Sequence, residues 1–166
     1  ELVLLPENGL MLAGNVAMRE RAFREDSPEL GKMGAAAAEH GVAVVLGGAK
    51  LATDEGIVNA ALVWDANGEL AGRYDKIHLF DAHIDGQSFE ASSVERAGRT
   101  PVLLDIDGVS VGLTICYDVR FPELYRTLAQ AGAAVVLVPA AFTHTTGSAT
   151  GTRCCALGRS RTPATS

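Results

Sequence analysis

Short runs of apolar residues recur along the chain and alternate with segments whose apolar residues follow helical spacing. The runs at residues 2–5, 42–46, 57–64 and 133–138 have the length and the branched side chains of β-strands, and residues 70–74 are predicted to return from 57–64 as a further strand. Strands that are apolar on both faces are typical of a sheet that is covered on both sides. Residues 2–5, 42–46 and 133–138 are therefore predicted to be buried strands.

The ends of two helices are marked by capping residues. Ser27 and Pro28 suit the N-cap and the first position of a helix that continues through an alanine tract to about His40, where Gly41 ends it. A second helix is predicted over residues 122–132, and it begins at a proline. Helices that alternate with buried strands predict an α/β domain whose sheets are covered by helices.

The connections between the predicted strands are of two kinds. Residues 65–69 contain Asn67-Gly68, which favours a tight turn, and segments 102–105 and 109–115 flank residues 106–108 as a second hairpin. Residues 78–98 have little periodicity and many Gly, Ser and Asp residues. This stretch is predicted to be a functional surface loop.

The composition fits one ordinary domain, because 48% of the 166 residues are apolar. The formal net charge is −6 and the 14 basic residues are scattered, which argues against a nucleic-acid partner. No apolar run approaches the ~20 residues of a membrane helix, and no basic and apolar leader is present. We therefore expect no membrane partner and a cytoplasmic location.

The three cysteines do not suggest a disulfide framework, and their odd number suits a reducing compartment. A thiol metal site built from His144, Cys154 and Cys155 is disfavoured, because adjacent cysteines lack the spacing of zinc ligands. The cysteines therefore give no reason to expect a metal site.

Cys116 is the first candidate for chemistry, because it ends an apolar strand and is soon followed by Pro122-Glu123, which opens a helix. A thiol at such a turn lies where backbone N–H groups point towards a developing oxyanion. It becomes a nucleophile if a base removes its proton or a positive charge lowers its pKa. The alternative is that Cys116 is an inert, buried hydrophobic residue.

Lys76 and Glu7 also stand where strands are predicted to end. Lys76 follows the strand at 70–74, and Glu7 follows Pro6 after the first strand. Either residue alone is compatible with an ordinary solvated charge at the end of a strand.

Together these segments resemble the three signature regions of the nitrilase superfamily. The matching segments are Pro6-Glu7, Tyr74-Asp75-Lys76-Ile77-His78, and the stretch from Cys116 to Arg126. The resemblance extends over residues 2–149 and includes Leu46-Gly47-Gly48, Asn59 and residues 137–143. Within the superfamily the sequence looks most like the Nit branch, which contains omega-amidases and deaminated glutathione amidases.

The resemblance implies a four-layer αββα sandwich and a set of roles. Glu7 would be the general base, Lys76 would stabilise the tetrahedral intermediate, and Cys116 would form the covalent adduct. The backbone N–H of Tyr117 would be a second oxyanion donor. The implied reaction hydrolyses a small linear amide, most simply one that bears a carboxylate, with water and without a cofactor. The implied assembly is a homodimer or a higher oligomer packed through the helix after Cys116.

Two further residues are open to alternative interpretations. Many Nit-branch members have a second active-site glutamate in a Tyr/Phe-x-Glu-Ser pattern, whereas this chain reads Phe89-Glu90-Ala91-Ser92. Either Glu90 reaches the site through a shifted loop, or the second carboxylate is missing; a solvated loop charge is the alternative. Arg120 could bind a substrate carboxylate, but a pairing with Asp118 or Glu123 is favoured because both lie close in sequence.

The end of the chain changes character at Thr150, where apolar periodicity gives way to small polar residues. A reading shifted by one base yields Trp from Thr150-Gly151 and Leu from each of Cys154 and Cys155. The shifted sequence resembles the next helix and strand of the superfamily, so we expect a lost base near Ala149; a flexible tail is the alternative. Residues 1–149 are then a partial hydrolase domain, and residues 150–166 are an out-of-frame or disordered tail.

The chain also begins at Glu1 without a methionine and enters a strand directly, so the sandwich is expected to be incomplete at both ends. An incomplete domain leaves open a second function, that of a non-catalytic fragment or a binding module that retains the fold.

Overall fold

The computed structural model describes residues 1–84, 86–142 and 147. Its regular elements, in chain order, are β1 (Leu2–Leu5), α1 (Asn15–Glu20), α2 (Pro28–His40), β2 (Ala43–Thr53), β3 (Gly56–Trp64), β4 (Leu70–Asp75), β5 (Asp81–Ile84), β6 (Gln87–Glu90), β7 (Glu95–Arg96), β8 (Val102–Ile106), β9 (Val109–Leu113), α3 (Pro122–Gln130) and β10 (Val135–Leu137). Short 3-10 helices span Ala91–Ser93 and Cys116–Arg120.

The strands form two main sheets. The first has the order β1-β2-β3-β4, with β7 added to β3, and the second has the order β10-β9-β8. β1 is parallel to β2 and β10 is parallel to β9, whereas β3 is antiparallel to both of its neighbours, β2 and β4. Strands β5 and β6 form a separate antiparallel hairpin.

Two apolar cores lie on the opposite faces of the first sheet, because successive side chains of a strand point to opposite faces. On β2, Val44 and Leu46 belong to the core that also contains Leu30 of α2. Val45, between them, belongs to the second core with Val111 of β9. On the outer face of the second sheet, Leu124 and Leu128 of α3 are buried. The order of layers is therefore α2, first sheet, second sheet, α3, which confirms the αββα sandwich.

Several predicted elements are confirmed at their ends. α2 begins at Pro28 and ends at His40, and Gly41 adopts the left-handed conformation (φ 62°) that favours glycine at a helix end. Ser27 occupies the N-cap but makes no side-chain capping bond, because its Oγ donates to the carbonyl of Arg24 at 2.6 Å. The turn at residues 65–69 and the hairpin of β8 and β9 are also present.

Other predictions need correction. The stretch 78–98, which was predicted to be a surface loop, contains β5, β6, a 3-10 helix and β7. β2 continues to Thr53, well beyond the predicted end at residue 46, and α1 had no sequence prediction. The outer strands are also less buried than predicted, because Val3 of β1 and Val135 of β10 are each 45% exposed.

The predicted tail lies outside the described residues, as do His144, Cys154 and Cys155 of the disfavoured metal site. Within the described ranges, no three or more His, Cys, Asp or Glu side chains are grouped so that they could hold a metal ion. In the same ranges no helix has the length and apolar character needed to cross a membrane.

Candidate active site

The Glu7 carboxylate is held at the end of the first sheet by groups from three segments. Its Oε1 accepts hydrogen bonds from Lys76 Nζ at 2.7 Å and from Asn59 Nδ2 at 2.9 Å. Its Oε2 accepts a bond from the backbone N–H of Ala141 at 3.2 Å. The side chains of Glu7 and Lys76 are almost fully buried, at 6% and 5% exposure. Such a carboxylate is fixed in position because water cannot replace its partners.

The strand order explains why these residues meet. Glu7 follows the end of β1, which pairs with β2, and Lys76 follows the end of β4, which pairs with β3. The Lys76 backbone N–H donates to the Asn59 carbonyl at 2.8 Å, directly beside the side-chain bond from Asn59 to Glu7. Asn59 of β3 therefore holds both residues, since its side chain binds Glu7 and its backbone carbonyl binds Lys76.

The two charges stabilise each other in spite of their burial. Burial alone would raise the pKa of Glu7, but the ammonium of Lys76 and hydrogen bonds from Lys76 and Cys116 bring it below its usual value. Burial alone would lower the pKa of Lys76, but the Glu7 carboxylate leads the charges that raise it above its usual value. At neutral pH the pair is therefore a carboxylate and an ammonium.

Cys116 lies on a strained turn between β9 and α3. It is the first residue of a 3-10 helix and has φ 48°, a left-handed conformation that costs a non-glycine residue about 1–3 kcal/mol. Its backbone N–H donates to the carbonyl of Pro139 at 2.8 Å, and its thiol makes a hydrogen bond with Glu7. Burial and the nearby Glu7 charge raise the pKa of the thiol to about 12. The resting thiol is thus protonated and lies beside a carboxylate.

A fully buried carboxylate joins the lysine segment to the thiol turn. Asp118, two residues after Cys116, accepts hydrogen bonds from the Tyr74 hydroxyl at 2.7 Å and the Ile115 N–H at 2.8 Å. It also accepts from the His78 N–H at 3.0 Å and lies 2.7 Å from His78 Nδ1. Asp118 therefore fixes the position of the thiol turn relative to the strand that carries the lysine.

All three candidate residues line one cavity of about 810 Å³. Tyr117 and Arg120 line it as well, and the Arg120 guanidinium lies over the Tyr117 ring at 4.9 Å. The Tyr117 N–H follows Cys116 at the start of a helix, where N–H groups have no intrahelical acceptor. Apolar side chains such as Phe80 and Phe142 form part of the wall.

Asp118 and Glu123, the two carboxylates that were predicted to pair with Arg120, both have other partners. Asp118 is bonded to Tyr74, His78 and Ile115, and Glu123 pairs with Arg126 at 2.7 Å. A carboxylate can accept several hydrogen bonds, so the interpretation of Arg120 as a brace for these carboxylates stays a prediction. Its place in the cavity wall agrees with the other interpretation, in which it faces a substrate.

The second carboxylate expected in the loop after Lys76 has two candidates. Glu90, at the end of β6, lines the cavity but is exposed, and it accepts a bond from the Ser88 hydroxyl at 2.8 Å. Glu95 also lines the cavity and is 8% exposed, and its Oε1 lies 2.5 Å from Nζ of Lys50. Neither Lys50 nor Glu95 was predicted from the sequence. The available signal was a lone lysine inside the otherwise apolar segment 42–52.

Two adjacent glycines allow the strands to approach at the site. Gly47 and Gly48 lie at the register shift between β2 and β3. A Cβ on Gly48 would lie 2.9 Å from Asn59 Oδ1 and 3.1 Å from Glu7 Cγ. A Cβ on Gly47 would overlap the Leu5 carbonyl oxygen and Pro139 Cβ. A side chain at either glycine would push apart Glu7, its hydrogen-bond donor Asn59 and the segment that follows β10.

Gly47→Ala is expected to lower the free energy of unfolding by about 1–3 kcal/mol, because backbone and proline ring atoms cannot move aside. Gly31→Ala is the matched control, since a Cβ on that residue of α2 meets nothing within 4 Å. The control is expected to stabilise the protein by about 0.5–1 kcal/mol through helix propensity. Urea denaturation of both variants measures the difference, and equal effects of the two substitutions would contradict the close approach.

Comparison with known protein families gives one clear match. The model of the carbon-nitrogen hydrolase family matches residues 1–161. The deaminated glutathione amidase of Yersinia enterocolitica is 36% identical over 155 residues, which cover 90% of this chain and 54% of the relative. The chain therefore spans about half the length of this relative.

Solved structures give the same result for the fold. Nit3 of Saccharomyces cerevisiae, a member of branch 10 of the nitrilase superfamily, superimposes with a TM-score of 0.83 at 24% identity, over 95% of this chain and 57% of Nit3. A glutamate-to-glutamine mutant of the amidase from Nesterenkonia sp. AN1 superimposes with a TM-score of 0.70 at 27% identity, over 89% of this chain and 56% of the amidase. In that mutant, acrylamide has added to the active-site cysteine by Michael addition.

Proposed function

Since the chain belongs to the carbon-nitrogen hydrolase family, we propose that it hydrolyses a small linear amide to an acid and ammonia through a thioester on Cys116. The main support is the convergence of three groups in one buried cavity. The Glu7 carboxylate contacts both the Lys76 ammonium and the Cys116 thiol. These are the base, the cation and the nucleophile that hydrolysis of an unreactive amide needs.

In the first half of the proposed reaction, Cys116 Sγ attacks the amide carbon while Glu7 takes the thiol proton. The C=O electron pair moves to oxygen, and the oxyanion is stabilised by the Lys76 ammonium and the Tyr117 N–H. The intermediate then collapses, the C–N bond breaks, and Glu7 returns the proton to the leaving nitrogen. Ammonia departs and a thioester remains.

In the second half, Glu7 accepts a proton from a water molecule that attacks the thioester carbon. The same oxyanion donors stabilise the second tetrahedral intermediate. The C–S bond then breaks, the acid is released, and Glu7 returns the proton to Cys116. The raised pKa of the thiol is consistent with this scheme, because a thiol that is protonated at rest needs a base at the moment of attack.

The proposed substrate bears a carboxylate in addition to its amide. Arg120 lines the cavity and supplies a guanidinium, which can bind a carboxylate through two parallel N–H bonds. The name of the Yersinia relative, a deaminated glutathione amidase, agrees with an amide of this kind. We expect Glu90, whose exposed side chain lines the same cavity, to contact substrate at the rim.

An assembly is proposed with this function, a homodimer or higher oligomer packed through α3. Leu124 and Leu128 are buried within the subunit, so a partner would meet the exposed face that carries Glu123 and Arg126. Sedimentation equilibrium of the purified protein tests this, and a monomer at all concentrations would contradict it.

Ammonia release from succinamate, compared with its methyl ester, tests both the activity and the substrate class. Arg120→Met is expected to raise KM for succinamate by about 10–100-fold, because it removes a charged hydrogen-bond partner of the carboxylate. KM for the uncharged ester should change little. An equal effect on both substrates would contradict the role of Arg120. No release from any amide would favour a non-catalytic fragment or binding module.

A further inference from the structure

A second buried ion pair lies in the cavity beside the Glu7–Lys76 pair. Lys50 Nζ and Glu95 Oε1 are 2.5 Å apart, and the two side chains are only 5% and 6% exposed. Both residues line the same cavity as Cys116. The mechanism proposed above uses neither of them.

The strand register places this pair against the residue that supports Glu7. Lys50 on β2 is the cross-strand partner of Asn59 on β3, and Glu95 on β7 pairs with Ile57, two residues earlier on β3. Cross-strand partners and residues two apart share one face of a sheet. The Lys50–Glu95 pair therefore spans β3 on the face from which Asn59 donates to Glu7.

A structural role alone does not require these charges. Burial of two charges is costly, and well-packed apolar residues would hold β7 on β3 as well as an ion pair does. The charges instead act on the neighbouring pair. Lys50 is one of the groups that lower the pKa of Glu7, and Glu95 is one of those that raise the pKa of Lys76.

We propose that Lys50 and Glu95 are positioning residues of this amidase site, whose ion pair keeps Glu7 ionised as a carboxylate and Lys76 as an ammonium in a buried cavity. The inference rests on the proposed function, because it assigns the pair a part in preparing the same base and cation. Two carboxylates and two ammonium groups then line the cavity together with Cys116. Glu95 supplies the buried second carboxylate, while Glu90 stays at the rim.

Other charged and titratable groups face the same cavity. Besides Glu7, Lys76 and Cys116, they are Lys50, Glu95, Glu90, Arg120 and Tyr117. Glu90 is exposed, so water screens its charge more than that of a buried group. Lys50 and Glu95 are therefore the groups whose removal should change the ionisation of the pair most directly.

The pH dependence of Cys116 alkylation tests the inference without turnover. The 166-residue chain is treated with iodoacetamide over a range of pH, and peptide mapping separates Cys116 from Cys154 and Cys155. In the wild type the rate should rise with pH as Glu7 loses its proton and becomes able to accept that of the thiol. This rise of the alkylation rate with pH is the acid limb of the profile. Glu7→Gln should remove the acid limb, which would assign it to the ionisation of Glu7.

The double variant Lys50→Met/Glu95→Gln removes both charges and leaves neither unpaired. Its acid limb should move to higher pH by about half a unit or more, because Lys50 no longer favours the Glu7 carboxylate. The matched control Arg96→Met/Glu55→Gln removes the exposed pair at the neighbouring position of β7, at 2.5 Å, and should leave the limb in place. The swap Lys50→Glu/Glu95→Lys keeps an ion pair and should move the limb further upwards.

The outcomes separate the two proposals. An acid limb that stays unchanged in both the folded double variant and the swap would overturn the inference and assign the pair to structure alone. A wild-type Cys116 that is not alkylated at any pH would overturn the proposed function, and the inference with it. A shift in the double variant but not in its control would support the inference.

Discussion

Replacement of Cys116 by alanine is expected to lower the rate of ammonia release by about 10⁴-fold or more, because no thioester can then form. The substitution leaves Glu7 and Lys76 in place and removes only Sγ. Alanine has a Cβ as cysteine does, so the left-handed backbone at this position is strained to a similar degree. Loss of activity in a folded variant would therefore result from the missing thiol and not from a change in the fold.

The matched control for this variant is the pair of remaining cysteines. Cys154→Ala/Cys155→Ala removes two thiols from the segment that is expected to carry no evolved function. Ammonia release by this control should equal that of the wild type. Appreciable activity in Cys116→Ala, or an equal loss in the control, would show that another group attacks the amide.

Replacement of Asp118 by alanine is expected to lower the free energy of unfolding by about 3–5 kcal/mol, the largest stability effect predicted for this chain. The carboxylate is fully buried, and alanine would leave the Tyr74 hydroxyl, the Ile115 N–H and the His78 N–H without their acceptor. Activity should also fall, because the thiol turn and the lysine segment lose their common anchor.

Asp118→Asn separates the loss of hydrogen bonds from the loss of side-chain volume. The Tyr74 hydroxyl and His78 Nδ1 can each act as acceptor, so an amide keeps three of the four contacts in either orientation. The expected loss is about 1–3 kcal/mol, the cost of one unsatisfied backbone N–H.

The exposed salt bridge at the start of α3 provides the control for both variants. Glu123→Ala should change stability by less than about 0.5 kcal/mol. Urea denaturation measures all three variants. A cost for Asp118→Ala no larger than that for Glu123→Ala would contradict the anchoring role.

The fold was largely predictable because its signals are local. Doubly apolar strands such as β2 separate two cores, and the Gly41 signal marks the end of α2 correctly. The hairpin of β5 and β6 was missed because this segment has many small and polar residues and little apolar periodicity. The exposure of Val3 depends on which strands flank β1, and the local sequence does not encode this.

The candidate site was also predictable only where its signals are local. Glu7, Lys76 and Cys116 were identified because each stands in a short recognisable segment at a strand end. The pairing of Lys50 with Glu95 joins residues 45 positions apart through the register of β3, so no local pattern reveals it. The same holds for Asp118, whose partners include His78, 40 residues earlier in the chain.

The most direct test of the account is the mass of Cys116 during turnover. The purified protein is mixed with succinamate, quenched in acid after a few milliseconds to seconds, and digested for mass spectrometry. We predict that the Cys116 peptide gains the mass of the succinyl group, as a thioester that forms while ammonia is released. Release of ammonia with an unmodified Cys116 peptide at every time, or an acyl group on another residue, would contradict the account.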